Sequence, residues 1–406
     1  MNLKSYILST CIACSLLACT NDDEPALKTI IPIVPDASLD LTVDMNKVRL
    51  KSEIVGDEKS VAWDYAINSL TLVACNPDEN GAYDKNNYKG GQIVAVFNYT
   101  YSGLSEVTQS TGFGLLSGNT DFVLYANLPV AAKTELTGLV NAGGTKADLL
   151  ALSIDLKSET EGNGLTMRKD LGTLNVVAGK NYLGFTDVKG NWDDGKEIYG
   201  GKIKLDRIVS CIQLGSLTLN KIDGCTGFQL KKVFLANVKG QTSLEKEIAV
   251  DHYWAGAFNE DNGYYKNDES VLKDALCIFD GTIILKPEEP YSVFIPQFVY
   301  PNQEGESTEP DRKNYTVLVI EGLYLKGTEP KGSSFYTIVV NDKDFSTVGD
   351  GVDGKHIASN YKYTIHVSIN GDGTDKPYEK PVYANIGAKI QVAPWDIVEI
   401  NNPPLD

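Results

Sequence analysis

Apolar and polar residues alternate in short runs along this chain, and paired turn residues break the runs. That pattern commits the chain to sheet. Leu39-Asp40-Leu41-Thr42-Val43-Asp44-Met45 alternates without interruption, which on a strand sends Leu39, Leu41, Val43 and Met45 to one face. Runs of the same kind predict strands over 69–74, 92–101, 121–126 and 174–177, then over 202–205, 214–219, 232–236, 315–320, 336–340 and 361–368. Tyrosine is abundant, at 21 residues, and with Val, Ile, Thr and Phe it favours pleated surfaces. Turn signals separate the runs: Asn80-Gly81, Gly90-Gly91, Asp194-Gly195, Asn262-Gly263 and Asn370-Gly371-Asp372-Gly373. Helical patterns are confined to 130–139 and 145–152. A polar stretch from Trp192 to Gly201 divides the chain, and the short strands on each side suit a β-sandwich.

The first residues are of another kind. Lys4 precedes an apolar run from Tyr6 to Leu17, too short for a permanent transmembrane helix, and Leu16-Leu17-Ala18-Cys19 closes it. The last four match a lipobox, so Cys19 is the expected lipidation site. Two or more acyl chains suffice for stable anchoring. A formal charge of −17 argues against nucleic acid and anionic headgroups as partners.

Chemical motifs are sparse. His252, His356 and His366 are isolated in sequence, which supports neither a zinc site nor a Ser-His-Asp triad. There is no nucleophile elbow, phosphate loop or dinucleotide fingerprint. Asn76-Pro77-Asp78-Glu79-Asn80-Gly81 imitates the start of a calcium loop, but its twelfth position is Asn87 and it follows a strand; a hairpin turn fits better. No pair of carboxylates stands out for glycoside hydrolysis. Tyr253-Trp254 and Tyr264-Tyr265 could form a sugar platform or simply pack as rings do elsewhere. The expectation is a chain that is not an enzyme and needs no cofactor or metal. Cys75, Cys211, Cys225 and Cys277 lie in apolar strand patterns, as buried thiols do, and disulfides stay open as the alternative.

Several collinear segments resemble the Bacteroidales-type fimbrillins, the FimA family of major fimbrial subunits. These are Phe122-Val123-Leu124-Tyr125-Ala126-Asn127-Leu128-Pro129, then Gly179-Lys180-Asn181-Tyr182-Leu183-Gly184-Phe185, then Asn360-Tyr361-Lys362-Tyr363 with Ile365, and finally Val392-Ala393-Pro394-Trp395. Ser359 stands where that family usually has Arg. The acidic cluster Asp22-Asp23-Glu24 after Cys19 likewise resembles a surface-export signal of Bacteroidales-type lipoproteins. The resemblance implies an all-β fold of two transthyretin-like β-sandwich domains in tandem. It also implies a structural pilin, exported as an outer-membrane lipoprotein precursor and trimmed after an Arg by a trypsin-like protease. Trimming removes the first strand, and a C-terminal strand of the next subunit fills the groove by donor-strand exchange.

On this chain the expected parts are a signal peptide over 1–18 and a propeptide over 19–49 carrying the removable strand. An N-terminal domain over 50–198 and a C-terminal domain over 199–406 follow. The expected cut lies between Arg49 and Leu50, although Lys47, Lys51 and Lys59 also invite trypsin-like enzymes. The donor candidates are Ile390, Val392, Trp395, Ile397, Val398 and Ile400, with the alternative that 390–393 close their own domain. Expected partners are further copies in a fimbrial polymer, accessory fimbrial subunits, the protease and, before trimming, the outer membrane. A monomeric surface lipoprotein binding a glycan or host ligand, or a fimbrial anchor or tip subunit, remains the alternative.

Overall fold

The computed structural model describes residues 34–43, 66–100, 107–110, 114–185, 195–200, 203–236, 238–245, 254–255, 257–258, 265–266, 276–302, 315–327, 329–341, 346–347, 356–375, 386–394 and 398–400. The first half contains β1 (Ala37–Val43), β2 (Ser69–Cys75), β3 (Ile93–Thr100), β4 (Val107–Ser110), β5 (Gly118–Ala126), α1 (Val130–Asn141), α2 (Lys146–Leu150), β6 (Ser153–Asp155), β7 (Met167–Val176), β8 (Gly179–Phe185), β9 (Lys196–Gly200) and β10 (Ile203–Arg207). The second half continues with β11 (Ser210–Leu219), β12 (Gly227–Ala236), β13 (Val238–Lys239), β14 (Gln241–Ser243), β15 (Trp254–Ala255), β16 (Ala257–Phe258), β17 (Tyr265–Lys266), β18 (Cys277–Leu285) and β19 (Gln297–Val299). It ends with β20 (Val317–Lys326), β21 (Glu329–Val339), β22 (Ser346–Thr347), β23 (Tyr361–Ile369), β24 (Ile386–Pro394) and β25 (Val398–Ile400).

The fold is all-β, two sandwiches in tandem. One is built from the sheets β4-β1-β8-β9 and β25-β10-β7-β5-β2-β3, the other from β19-β11-β23-β24-β22 and β18-β12-β20-β21. Every residue of β2 is buried, as expected of a strand covered on both faces. The two sheets of the first sandwich approach closely at Gly184 of β8, where a Cβ would lie 2.9 Å from the Ile203 side chain of β10. Gly184 also has φ +79, a left-handed conformation that glycine adopts without strain.

The stretch Tyr199-Gly200, which ends the dividing stretch named above, is strand. Residues 196–200 pair in parallel with β8, and Asp206 and Arg207 pair with β7. Sheet pairing with the first half therefore runs on to Arg207. Both helices fall where the sequence puts them. α2 opens with a reciprocal cap in which Thr145 and Asp148 satisfy each other's backbone N–H.

Three asparagines act as brackets. Asn127 ends β5 with φ 55, accepts from the backbone N–H of Asn68 and Ser69, and donates to the carbonyls of Ala66 and Leu165. Asn360, also left-handed at φ 62, accepts from the Arg207 N–H, and its own N–H donates to Val209. It thus ties β23 to the end of the first half. Asn181 is treated with the site below.

The two halves are further joined by the small β6–β14 sheet, with Ile154 opposite Thr242. The backbone bonds Leu156 to Gly240, Leu244 to Leu152 and Glu245 to Leu150 extend this brace. Beside it lies a buried acid. Glu159 accepts from the Thr166 N–H at 2.7 Å and from the Tyr300 hydroxyl at 3.1 Å. Burial raises its carboxyl to about 7, against the hydrogen bonds that lower it.

Candidate assembly site

The strand with the clearest alternation in the sequence occupies the interior of its sheet. β1 runs parallel to β8, with Leu39 opposite Asn181 and Leu41 opposite Leu183. On its other side it runs antiparallel to β4, with Leu41 opposite Gln109 and Val43 opposite Val107. Ala37 and Leu39 are fully buried and Leu41 is 1% exposed. Burying the two leucines contributes roughly 3–6 kcal/mol of gross transfer energy.

The N-terminal end of β1 is tied down. Ala37 and Leu115 exchange backbone bonds, and the Gly179 N–H donates to Asp36. The Asp36 carboxylate accepts from the Ser117 hydroxyl and N–H, both at 2.7 Å. The hydroxyl bond is the main reason its carboxyl sits below the usual range, with burial opposing.

Asn181 is the residue that sequence reasoning undervalued. It is fully buried on β8; its Nδ2 donates to the Ser38 carbonyl of β1 at 3.0 Å and to Val177 at 2.8 Å, while its Oδ1 accepts from the Val177 N–H. One side chain therefore fixes the turn into β8 and grips the neighbouring strand. A Gly-x-Asn at a strand start was the available signal. Without β1 that amide would lose its acceptor at Ser38, and the apolar slots of Leu39 and Leu41 and the facing edges of β8 and β4 would lose their partner.

The expected donor residues separate into two groups. Ile390 and Val392 belong to β24, which pairs along nine positions with β23, and Ile390 is fully buried opposite Ile365. They close the chain's own sheet, the alternative held open above. Val398 and Ile400 form β25, which pairs with Leu205 and Ile203 of β10 at the outer edge of the six-stranded sheet. Cys19, Met45, Arg49, Leu50, Trp395 and Ile397 lie outside the described residues.

The other candidates resolve into ordinary packing. In the calcium-like loop, Asp84 accepts from the Asn76 amide and the Gly81 N–H, so its carboxylate serves the turn. Among the described residues no group of three or more His, Cys, Asp or Glu could hold a metal ion, and no helix is long and apolar enough to cross a membrane. His366 Nδ1 lies 2.9 Å from the Ser216 hydroxyl between paired strands. Cys75 and Cys211 are buried, and burial pushes the Cys75 thiol up to about 12. The Cys225 and Cys277 thiols donate to the carbonyls of Gly227 and Phe279. Trp254 and Tyr265 fall on different two-stranded ribbons, β13–β15 and β16–β17; Tyr253 and Tyr264 lie outside the described residues.

Residues 37–207, from the first residue of β1 to the last of β10, match the family of major fimbrial subunit proteins (FimA). The chain is thus similar to the FimA fimbrillins. The major fimbrium subunit FimA type-2 of Porphyromonas gingivalis is 22% identical to it, over 97% of this chain and 98% of that one. The type-3 subunit of the same organism is 23% identical over 64% and 72%. Among solved structures, a P. gingivalis fimbrilin has a TM-score of 0.61 at 19% identity, covering 91% of this chain and 99% of its own. A candidate cell adhesion protein of Parabacteroides distasonis has a TM-score of 0.63 at 24% identity, covering 90% and 100%. The tandem-sandwich fold is common to these two structures and to this chain.

Proposed function

We propose that this chain is a structural subunit of cell-surface fimbriae that supports adhesion. It is exported as a lipoprotein through Cys19, trimmed after Arg49, and polymerised with further copies and accessory subunits by donor-strand exchange. The observation that carries this reading is the interior position of β1. A strand bonded on both sides, with its apolar side chains in the core, leaves a strand-shaped slot when removed. The slot accepts another chain's strand, and because slot and strand are different surfaces the contact propagates as a filament. Val398 to Ile400, which among the described residues pair with β10 at a sheet edge, are better placed to leave their own chain than Ile390 and Val392, and we assign the donor role to them.

The deciding experiment is the N-terminus and intact mass of the protein recovered from cells, with detergent-resistant ladders read in parallel. A chain beginning at Leu50, without lipid and in ladders, supports the reading; Arg49→Ala should then leave untrimmed monomer. A chain beginning at acylated Cys19 and running as monomer would replace it with an anchor subunit or a monomeric surface binder, for which the seated β1 is the supporting observation.

A further inference from the structure

The two sandwiches repeat one topology. In chain order, β1, β2, β3, β4, β5, β7 and β8 of the first correspond to β11, β12, β18, β19, β20, β21 and β23 of the second. Thus β4-β1-β8 answers β19-β11-β23, and β3-β2-β5-β7 answers β18-β12-β20-β21. Directions agree too: β1 is parallel to β8 and antiparallel to β4, as β11 is parallel to β23 and antiparallel to β19. β1 and β11 therefore hold the same place, but β11 lies mid-chain while β1 is the first described strand.

The side chains that hold these two strands differ in what they contact. β23 meets β11 through side chains on both strands: the Gln213 amide donates to the Thr364 hydroxyl, and the Ser216 hydroxyl lies 2.9 Å from His366 Nδ1. Such pairs depend on the sequence of both partners. β8 meets β1 through Asn181, whose Nδ2 donates to the main-chain carbonyl of Ser38 at 3.0 Å. The same amide is anchored independently of β1, by the Val177 carbonyl at 2.8 Å, the Gly179 carbonyl at 3.2 Å and the Val177 N–H. Asn181 is fully buried, where a donor left without its acceptor is costly. Every strand carries carbonyls, so this contact is blind to the occupant's side chains and fixes only where its main chain sits.

We propose that Asn181 sets the register of whichever strand fills the slot, seating β1 in the untrimmed chain and the donor strand of the next subunit after exchange. The second role rests on the fimbrial reading, whereas the first does not. Side chains and carbonyls both alternate along a strand. A slip of one residue would turn the occupant's apolar side chains out of the Leu39 and Leu41 positions, and it would also turn its carbonyl away from Asn181. An acceptor demanded at one fixed point therefore disfavours that slip. With the donor seated in the direction of β1, Ile397-Val398-Glu399-Ile400 falls on Ser38-Leu39-Asp40-Leu41. Val398 and Ile400 then enter the two leucine positions, and Glu399 replaces Asp40, an acid for an acid at a half-buried position. The Ile397 carbonyl meets Asn181. Asn181 is thus a positioning residue of the joint between subunits.

The test uses the full chain carrying Asn181→Ala or Asn181→Asp. The aspartate keeps the oxygen that accepts from the Val177 N–H and loses the donor, which separates the grip on the strand from part of the brace on the turn. Asn127→Ala, which loosens the same half through β5 without touching β1, controls for a general loss of stability. In the untrimmed protein, hydrogen exchange over residues 37–43 should quicken at least about tenfold in both Asn181 variants, the factor for one buried hydrogen bond. Residues 361–369 of β23 should keep their wild-type protection. In protein recovered from cells, detergent-resistant ladders of both Asn181 variants should come apart at a lower temperature than those of wild type or Asn127→Ala. Unchanged exchange over 37–43 in the Asp variant, or ladders no less heat-stable than those of Asn127→Ala, overturns the proposal. Wild type that forms no ladders would instead refute the fimbrial reading and with it the donor's place at Asn181, while the exchange rates still decide the grip on β1.

Discussion

Replacing Glu159 by Gln should remove a pH dependence from the stability of this protein. The carboxyl is enclosed where the two halves meet, between the Thr166 N–H and the Tyr300 hydroxyl. Burial raises it from 4.5 to about 7. The folded chain thus holds this proton more tightly than the unfolded one. The stabilisation is complete below pH 4.5, is lost progressively as pH rises towards 7, and is absent above that. The shift corresponds to about 3 kcal/mol across the window. Glutamine has the shape of the protonated acid; its oxygen can accept from Thr166 and its amide can donate to the Tyr300 oxygen. Urea unfolding of both proteins at several pH values from 5 to 8 gives the difference directly. The variant should match wild type at pH 5 and exceed it by about 2–3 kcal/mol at pH 8. Parallel curves over that range would refute the reasoning, because they would mean the carboxylate is solvated or paired in the folded chain.

Leu41→Ala should destabilise the untrimmed chain by about 2–5 kcal/mol in chemical unfolding; a loss below about 1 kcal/mol would show that β1 is not seated in the core. Asn127→Ala should cost about 2–4 kcal/mol, since it orphans the N–H groups and carbonyls that this amide serves, and the thermal midpoint would report it. Deleting residues 398–406 should leave a folded, trimmed monomer; filaments of undiminished length under the electron microscope would remove the donor role from β25.

Much of the fold was legible because half-buried strands announce themselves by period. Strands over 69–74, 92–101 and 361–368 fall within a residue or two of the observed elements and both helices coincide, whereas 174–177, 315–320 and 336–340 catch only part of β7, β20 and β21. Segments were missed where the period is broken or hidden. β18 carries Asp280-Gly281-Thr282 at exposed positions in its middle, so it does not alternate. β9 is half-exposed, contains two charges and gains its strand character from pairing with β8, a tertiary effect.

The site was legible in part for the same reason. Leu39 and Leu41 show their face in the sequence, but the partner strands that make β1 an interior strand are far away in the chain. Asn127, Asn181 and Asn360 could be singled out as motif members without a reason; their work is to satisfy backbone groups of segments distant in sequence. The C-terminal segment shows the limit most plainly, since Ile390 and Val398 alternate alike and only pairing distinguishes a core strand from an edge strand.

The brace between the halves has a mechanical meaning. Because β6–β14, the Asn360 contacts and the Glu159–Tyr300 pair cross the junction at separate points, neither half can swing without breaking several bonds together. A load applied across the junction is therefore shared by several bonds at once, and a single-molecule pull on the chain should show the two halves yielding together.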